Sequence, residues 1–181
     1  ALMAGQGMGV KTFIHESNAY PGKANRVAAR WADIVLLGME ACHQHFPGKN
    51  VKVVGTPLRG VMRKSYDRNQ AIEHFNLSSE KKTLLILGGS QGAYGINSVI
   101  TDSLTDLKDL GVQIIHLTGP ADYDRVSSLY EGVEIDSHIA PFCDSMQLAY
   151  ASCDIAIARS GASSLAELSA FGIPSILVPY P

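Results

Sequence analysis

The run Thr83-Leu84-Leu85-Ile86-Leu87-Gly88-Gly89-Ser90-Gln91-Gly92-Ala93 decides how this chain is read. Leu84 to Leu87 are consecutive apolar residues closed by two glycines, the pattern of a buried parallel strand. Beyond them, Ile96, Val99, Ile100, Leu104 and Leu107 recur at helical spacing, which predicts a helix over about 93–107. The glycines therefore stand where a strand's C-terminal end turns into a helix N-terminus. Free amides and the positive end of the helix dipole attract an anion there. Missing side chains at Gly88, Gly89 and Gly92 would let a phosphate approach the backbone, and Ser90 would add a hydroxyl donor. A bare βα turn explains the same letters, but turns of this kind are the usual ligand sites of open α/β sheets.

Two anion-binding classes fall away. The loop is not G-x-G-x-x-G, and no Lys-Ser or Lys-Thr follows its last glycine, so the phosphate-loop NTPase reading fails. A nicotinamide-binding fold wants an acid at the end of the next strand for the ribose. That strand, Val112 to Leu117, runs into Thr118-Gly119 instead.

Outward from this centre, strands are expected at 112–117, about 133–139, 154–158 and 175–178. Helices at 93–107, 122–130, 144–152 and 163–171 lie between them. Regular β-α alternation means an α/β protein with a doubly wound parallel sheet, its C-terminal strand loops gathered on one edge. Upstream, strands Lys11–His15, Asp33–Leu37 and Val51–Val54 alternate with helices Lys23–Trp31 and Met39–Phe46. They make a second, thinner parallel sheet, with further strands expected before residue 1. Residues 60–68 are polar and read as a linker, and Asn69–Phe75 as a lead-in helix. The expected division is 1–59, linker 60–68, and 69–181. Both ends look cut, as in an internal segment of a longer protein.

With 46% hydrophobic and 18% charged residues the chain is globular rather than disordered. No apolar run is long enough to span a bilayer, and no signal peptide is recognisable. Cys42, Cys143 and Cys153 form no C-x-x-C pair and read as reduced thiols of a cytosolic protein. Charge is unevenly spread: residues 1–68 carry ten Lys/Arg against four Asp/Glu, residues 69–181 five against thirteen. A basic half could face an anionic membrane or substrate; scattered solvated charge is the plain alternative. Cys42-His43-Gln44-His45 has metal-like letters but no second ligand pair, so no metal is expected. The scattered methionines read as packing.

A second polar corner, Arg159-Ser160-Gly161-Ala162-Ser163-Ser164-Leu165-Ala166-Glu167, follows the strand at 154–158. Ser164-x-x-Glu167 fits a capping box. Alternatively, Glu167 takes the two hydroxyls of a ribose. Ala140-Pro141-Phe142-Cys143-Asp144 could hold a flat base against backbone groups and Phe142, although Phe142 also reads as core.

Five stretches occur in a telling order: His15-Glu16-Ser17-Asn18-Ala19-Tyr20-Pro21-Gly22, Gly55-Thr56-Pro57-Leu58-Arg59, Gly88 to Ala93, Phe142 to Met146, and Arg159 to Ala162 with Glu167. Together they resemble the MurG family of peptidoglycan glycosyltransferases, family 28, over essentially the whole chain. The resemblance implies a GT-B architecture of two Rossmann-like domains, both incomplete here. It implies transfer of N-acetylglucosamine from UDP-GlcNAc to undecaprenyl-pyrophosphoryl-muramoyl pentapeptide, lipid I to lipid II, with inversion. It also implies a peripheral enzyme at the cytoplasmic face of the membrane, acting on no nucleic acid. UDP-GlcNAc is the donor substrate; no cofactor and no metal is implied.

By the same resemblance, Ser90, with Gly89, Gln91 and Gly92, matches the family's donor diphosphate corner. Arg59 matches a donor-contacting arginine, and Asn18 an asparagine near the sugar. Cys143 stands where backbone groups read uracil. Ala162, Ser163, Ser164, Leu165, Ala166 and Glu167 match the stretch around the ribose, with Glu167 as the diol acceptor, which moves Glu167 from cap to ligand. Ser17 and Thr56 depart from the family's glutamine and asparagine. The family's glycine-rich loop with its histidine would lie before residue 1 and its donor-sugar stretch after residue 181, so these 181 residues alone are expected to be inactive. Within them, His15 and Glu16 are the close acid/base pair and the candidate catalytic residues. The rivals are a UDP-GlcNAc 2-epimerase-like enzyme and a UDP-sugar-binding subunit of a split transferase.

Overall fold

The computed structural model describes residues 1–89 and 91–179, and the chain divides into two units, Ala1–Leu58 and Arg59–Pro181. In the first unit, helix α1 (Leu2–Gly7) precedes strand β1 (Phe13–Glu16), helix α2 (Lys23–Ala28) and strand β2 (Ile34–Leu37). A 3-10 helix (Glu40–His45) then leads to strand β3 (Val51–Val53). The strands pair in parallel in the order β1-β2-β3. Val35 and Leu37 alternate inward from β2 onto Ala29, Cys42 and Phe46, with Ile14 and Val51 closing the core. Helix α2 is shorter than its apolar letters suggest. Val27 is exposed, and Ala29, just past the helix, is the residue that enters the core. Met3 and Met8 are exposed too, so the methionines are not uniformly packing residues.

The second unit begins before the expected domain start. A 3-10 helix (Gly60–Arg63) buries Met62, and Tyr66 stacks on Phe171 at 6.4 Å. Arg68 Nη2 reaches Asp154 Oδ2 at 2.6 Å. The segment read as a linker is thus folded onto the second unit, because Met62 is buried and Tyr66 and Arg68 find partners there, while Val61 stays exposed. Helix α3 (Arg68–His74) follows, with the Asp67 side chain accepting from the Gln70 amide at 2.9 Å as its N-cap.

The main sheet holds strands β4 (Thr83–Leu87), β5 (Gln113–Leu117), β6 (Ser137–Ala140), β7 (Ile155–Arg159) and β8 (Ser175–Val178). Their order is β6-β5-β4-β7-β8, all parallel. Between them run α4 (Tyr94–Asp102), α5 (Leu104–Asp109), α6 (Tyr123–Glu131), α7 (Met146–Ser152) and α8 (Ala162–Phe171). β4 is central and buried along its whole length. The chain builds outward to β6 on one side, then returns beside β4 to place β7 on the other. That reversal is a topological switch point, where the two neighbouring corners, after β4 and after β7, diverge and leave a crevice.

The helix expected over 93–107 is two helices. The Ser103 hydroxyl donates to the Val99 carbonyl at 2.9 Å, and the chain bends there. Val99, within α4, faces solvent, while Ile96, Ile100 and Leu104 pack on Leu84, Ile86 and Ile114.

Candidate functional site

The glycine corner after β4 is shaped by its neighbour after β5. Gly92 has φ +77°, and a Cβ there would stand 2.2 Å from the Thr118 carbonyl oxygen. Gly119, with φ +81°, would in turn put a Cβ 2.5 Å from the Gly92 Cα. Two backbones touch because neither residue has a side chain. Gly88 is also closed off, by Ala93. Sequence reasoning assigned all three loop glycines to an approaching phosphate; two of them serve the chain's own packing. Gly89 is different: its φ is +87°, it is exposed, and a Cβ there would meet nothing within 4 Å. It is the open face of the corner, and its carbonyl accepts from the Gly92 amide at 2.9 Å, which tightens the turn. Gln91 is exposed beside it. Ser90 lies outside the described residues.

Beneath this corner runs a buried polar chain. His116, next to the last residue of β5, is fully buried, with Nδ1 3.0 Å from the Tyr130 hydroxyl and Nε2 3.1 Å from Asn97 Oδ1. Asn97 Nδ2 donates to the Thr118 carbonyl at 2.9 Å and to Asp122 Oδ2 at 2.7 Å. Arg125 closes the chain with two bonds to Asp122, at 2.6 and 2.7 Å, and lies over the Tyr94 ring. Burial drives the His116 pKa down to about 4, helped by Arg125 and opposed by Asp122, so the ring is neutral. The carbonyl that Gly92 packs against is therefore pinned from below.

Across the switch point, α8 begins at Ala162 with Gly161 as its N-cap and no side-chain cap. That start is three residues earlier than the capping-box reading requires, which would make Ser164 the N-cap. Ser164 and Glu167 then fall inside the helix, and the box does not form. Glu167 instead points to two partners. Its Oε2 accepts from the Tyr150 hydroxyl at 2.9 Å, and its Oε1 is 3.6 Å from Arg59 Nη2. The Ala162-Ser163-Ser164-Leu165-Ala166 turn supplies the helix start that carries it.

A cavity of about 130 Å³ joins these parts. Leu87, Leu117, Met146 and Tyr150 form its apolar base, Phe142 and Cys143 one wall, and Gly89, Ser164 and Glu167 its polar side. Phe142 is 58% exposed, so it is a wall residue and not core. Burial pushes the Cys143 thiol's pKa up, and the thiol stays protonated. The cavity is small beside the roughly 300 Å³ or more that encloses a drug-sized ligand, so it fits a ring or two, with the remainder lying over open Gly89. A larger hollow, about 410 Å³, is lined by Arg68, Cys153, Asp154 and Pro174. It lies at the N-terminal ends of β7 and β8, the wrong edge of a parallel sheet for a ligand.

Of the residues singled out in the sequence, Gly89, Cys143, Ser164 and Glu167 share this cavity, and Arg59 reaches it through Glu167. His15, Glu16 and Asn18 belong to the first unit. The Glu16 carboxylate accepts four bonds, at 2.9 to 3.0 Å: from Asn18 N and Nδ2, from Gly22 N and from Asn25 Nδ2. Burial works against its charge, but the bonds from Asn18, Asn25 and Gly22 outweigh that and hold its pKa below the ordinary carboxylate value. Such a group organises the loop after β1 and is poorly suited to take a proton. His15 Nε2 meets the Gly55 carbonyl at 3.0 Å and its Nδ1 the Ser17 hydroxyl at 3.3 Å, so both ring nitrogens are engaged. Cys42 is core, and no group of three or more His, Cys, Asp or Glu among the described residues could hold a metal ion. Tyr150 was missed by sequence reasoning. Its ring reads as one more apolar position of α7, and only the fold shows its hydroxyl at Glu167.

A model of the glycosyltransferase family 28 C-terminal domain matches residues 83–181. The UDP-N-acetylglucosamine--N-acetylmuramyl-(pentapeptide) pyrophosphoryl-undecaprenol N-acetylglucosamine transferase of Desulforamulus reducens is 36% identical over 188 residues, 99% of this chain and 50% of the relative. The enzyme of the same name from Thermobifida fusca is 38% identical over 181 residues, 98% of this chain and 46% of the relative. The crystal structure of Acinetobacter baumannii MurG superposes with a TM-score of 0.73 at 28% identity, over 99% of this chain and 49% of that one. The chain spans about half the length of the curated relatives it matches.

Proposed function

Since the chain belongs to glycosyltransferase family 28, whose C-terminal domain it carries from residue 83, we propose that it forms the donor-binding part of an inverting transferase. The enzyme moves N-acetylglucosamine from UDP-GlcNAc to undecaprenyl-pyrophosphoryl-muramoyl pentapeptide, converting lipid I to lipid II for peptidoglycan. The activity in the names of the relatives supports this substrate pair. The observation that carries the reading is the cavity that sets Glu167 and Gly89 on facing corners of the switch point.

The residues divide the donor among themselves. The cavity between Leu117, Phe142 and Cys143 takes the uracil ring, read by backbone groups of 141–144. Glu167 accepts the two ribose hydroxyls, a demand that a fixed carboxylate meets with its spare lone pairs. The diphosphate lies over Gly89 and the start of α4, where free amides face it. Arg59, beside Glu167, adds a full positive charge. As the glycosidic bond breaks, negative charge grows on the leaving UDP, and donors already in place stabilise it more in the transition state than in the ground state. No cofactor enters this reading. The proton of the acceptor hydroxyl is left to a base other than Glu16.

We place the enzyme peripherally at the cytoplasmic membrane face. No helix among the described residues is long and apolar enough to cross a membrane. The first unit presents Leu2, Met3, Val27 and Trp31 around an open apolar hollow, with Lys23, Arg26 and Arg30 next to it. Apolar contact beside basic charge suits an anionic lipid surface.

The test is transfer from labelled UDP-GlcNAc to a lipid I analogue by the full-length protein, alongside calorimetric titration with UDP. The reading expects acceptor-dependent product and saturable UDP binding. Absence of UDP binding, or UDP-ManNAc formed without acceptor, overturns it.

A further inference from the structure

Tyr150 does a job that the donor-binding reading leaves unassigned. The geometry points to Tyr150 as the positioning residue that turns Glu167 toward the ribose, an inference that rests on the ribose role given to Glu167 above. Tyr150 is 2% exposed, and its ring packs against Phe171 with centroids 5.4 Å apart. Its hydroxyl donates to Glu167 Oε2 at 2.9 Å. Burial, and then the Glu167 charge, push the phenol pKa upward, so it remains a proton donor at any working pH. Glu167 is therefore held at one oxygen by a group that cannot leave, because the ring carrying it is part of the packed interior.

The second oxygen is held differently. Arg59 faces Oε1 at 3.6 Å on a side chain that is 57% exposed, a longer and screened contact that can yield to a ligand. One oxygen is anchored and the other is offered. A carboxylate fixed in this way presents lone pairs to two neighbouring hydroxyls without first losing rotational freedom, and pre-organisation of that kind shows up as affinity. The Tyr150 ring also lines the base of the cavity, but its hydroxyl is spent on Glu167 and acts on the ribose only through that carboxylate, which makes Tyr150 a positioning residue.

The experiment compares UDP with 2′,3′-dideoxy-UDP, which lacks both hydroxyls that Glu167 accepts, by calorimetry on the full-length protein, with thermal unfolding measured in parallel. The unmodified protein should prefer UDP about tenfold or more, the scale of one hydrogen bond to a charged acceptor. Tyr150→Phe keeps the ring and should cut UDP affinity about tenfold while moving 2′,3′-dideoxy-UDP less than about twofold, so the preference collapses. In a Glu167→Gln background the same change should add nothing to the ratio, because the two side chains act as one unit. Phe171→Leu, which loosens the ring but spares the hydroxyl, should lower stability and keep the preference. A Tyr150→Phe protein that binds both ligands more weakly by one common factor, or that loses its cooperative unfolding transition, assigns Tyr150 to packing and overturns the proposal. If the unmodified protein already fails to prefer UDP, the ribose role of Glu167 is what falls.

Discussion

Arg59 Nη2 stands 3.6 Å from Glu167 Oε1, joining the first residue of the second unit to the middle of α8. The pair is half in solvent, so it contributes little to stability, about 1 kcal/mol at most. Its value lies in charge at the site. Arg59→Ala should therefore leave the melting temperature nearly unchanged and lower kcat/KM for UDP-GlcNAc about a hundredfold, the scale of one lost charge-stabilising donor. Unchanged turnover in the transfer assay would put the diphosphate elsewhere.

Gly92 and Gly89 share a positive φ but not an environment. Gly92→Ala forces a Cβ against the Thr118 carbonyl and should destabilise the second unit by about 2–5 kcal/mol, strain and overlap combined. Gly89→Ala meets open space and should cost only about 1–2 kcal/mol of backbone strain. It should nevertheless weaken UDP binding, because its methyl would occupy the ligand face. Denaturant unfolding and UDP titration on the two variants separate packing from binding.

Buried neutral His116 makes stability depend on pH in a defined window. Its pKa is about 4 when folded against an ordinary 6.5, so below pH 6.5 the unfolded chain takes up a proton that the folded protein refuses. Stability is complete above that value and falls as the pH drops toward 4. The loss is of the order of 3 kcal/mol over the whole window. His116→Gln should flatten the profile between pH 6.5 and 5 in urea titrations, whatever it does to absolute stability.

Glu16 is expected to matter for architecture. Glu16→Gln turns an acceptor of four bonds into a group with two donors facing Asn18, Gly22 and Asn25. The first unit should lose about 2–3 kcal/mol, the cost of unmatched buried polar groups. Hydrogen exchange at 17–25 should rise more than elsewhere in the unit. A variant with wild-type exchange and reduced turnover would return Glu16 to the chemistry.

Much of this was legible from letters alone. The hydrophobic run of Leu84–Leu87, the glycines behind it and the alternation around it determined two parallel α/β sheets and named both corners, because burial and turn chemistry act between neighbours along the chain. Tertiary structure decided the rest. It split the helix expected over 93–107 at Ser103, gave Gly92 to Thr118, and folded 60–68 onto the second unit. It also placed the Tyr150 hydroxyl and the Arg59 guanidinium on opposite oxygens of Glu167. Apart from Ser103 and Val99, none of these partners is close in sequence. Gly92 meets Thr118 because β4 and β5 pair side by side, and Glu167 is carried to the same edge because the chain returns beside β4 to lay down β7; crossovers of that kind set distances that no local pattern encodes.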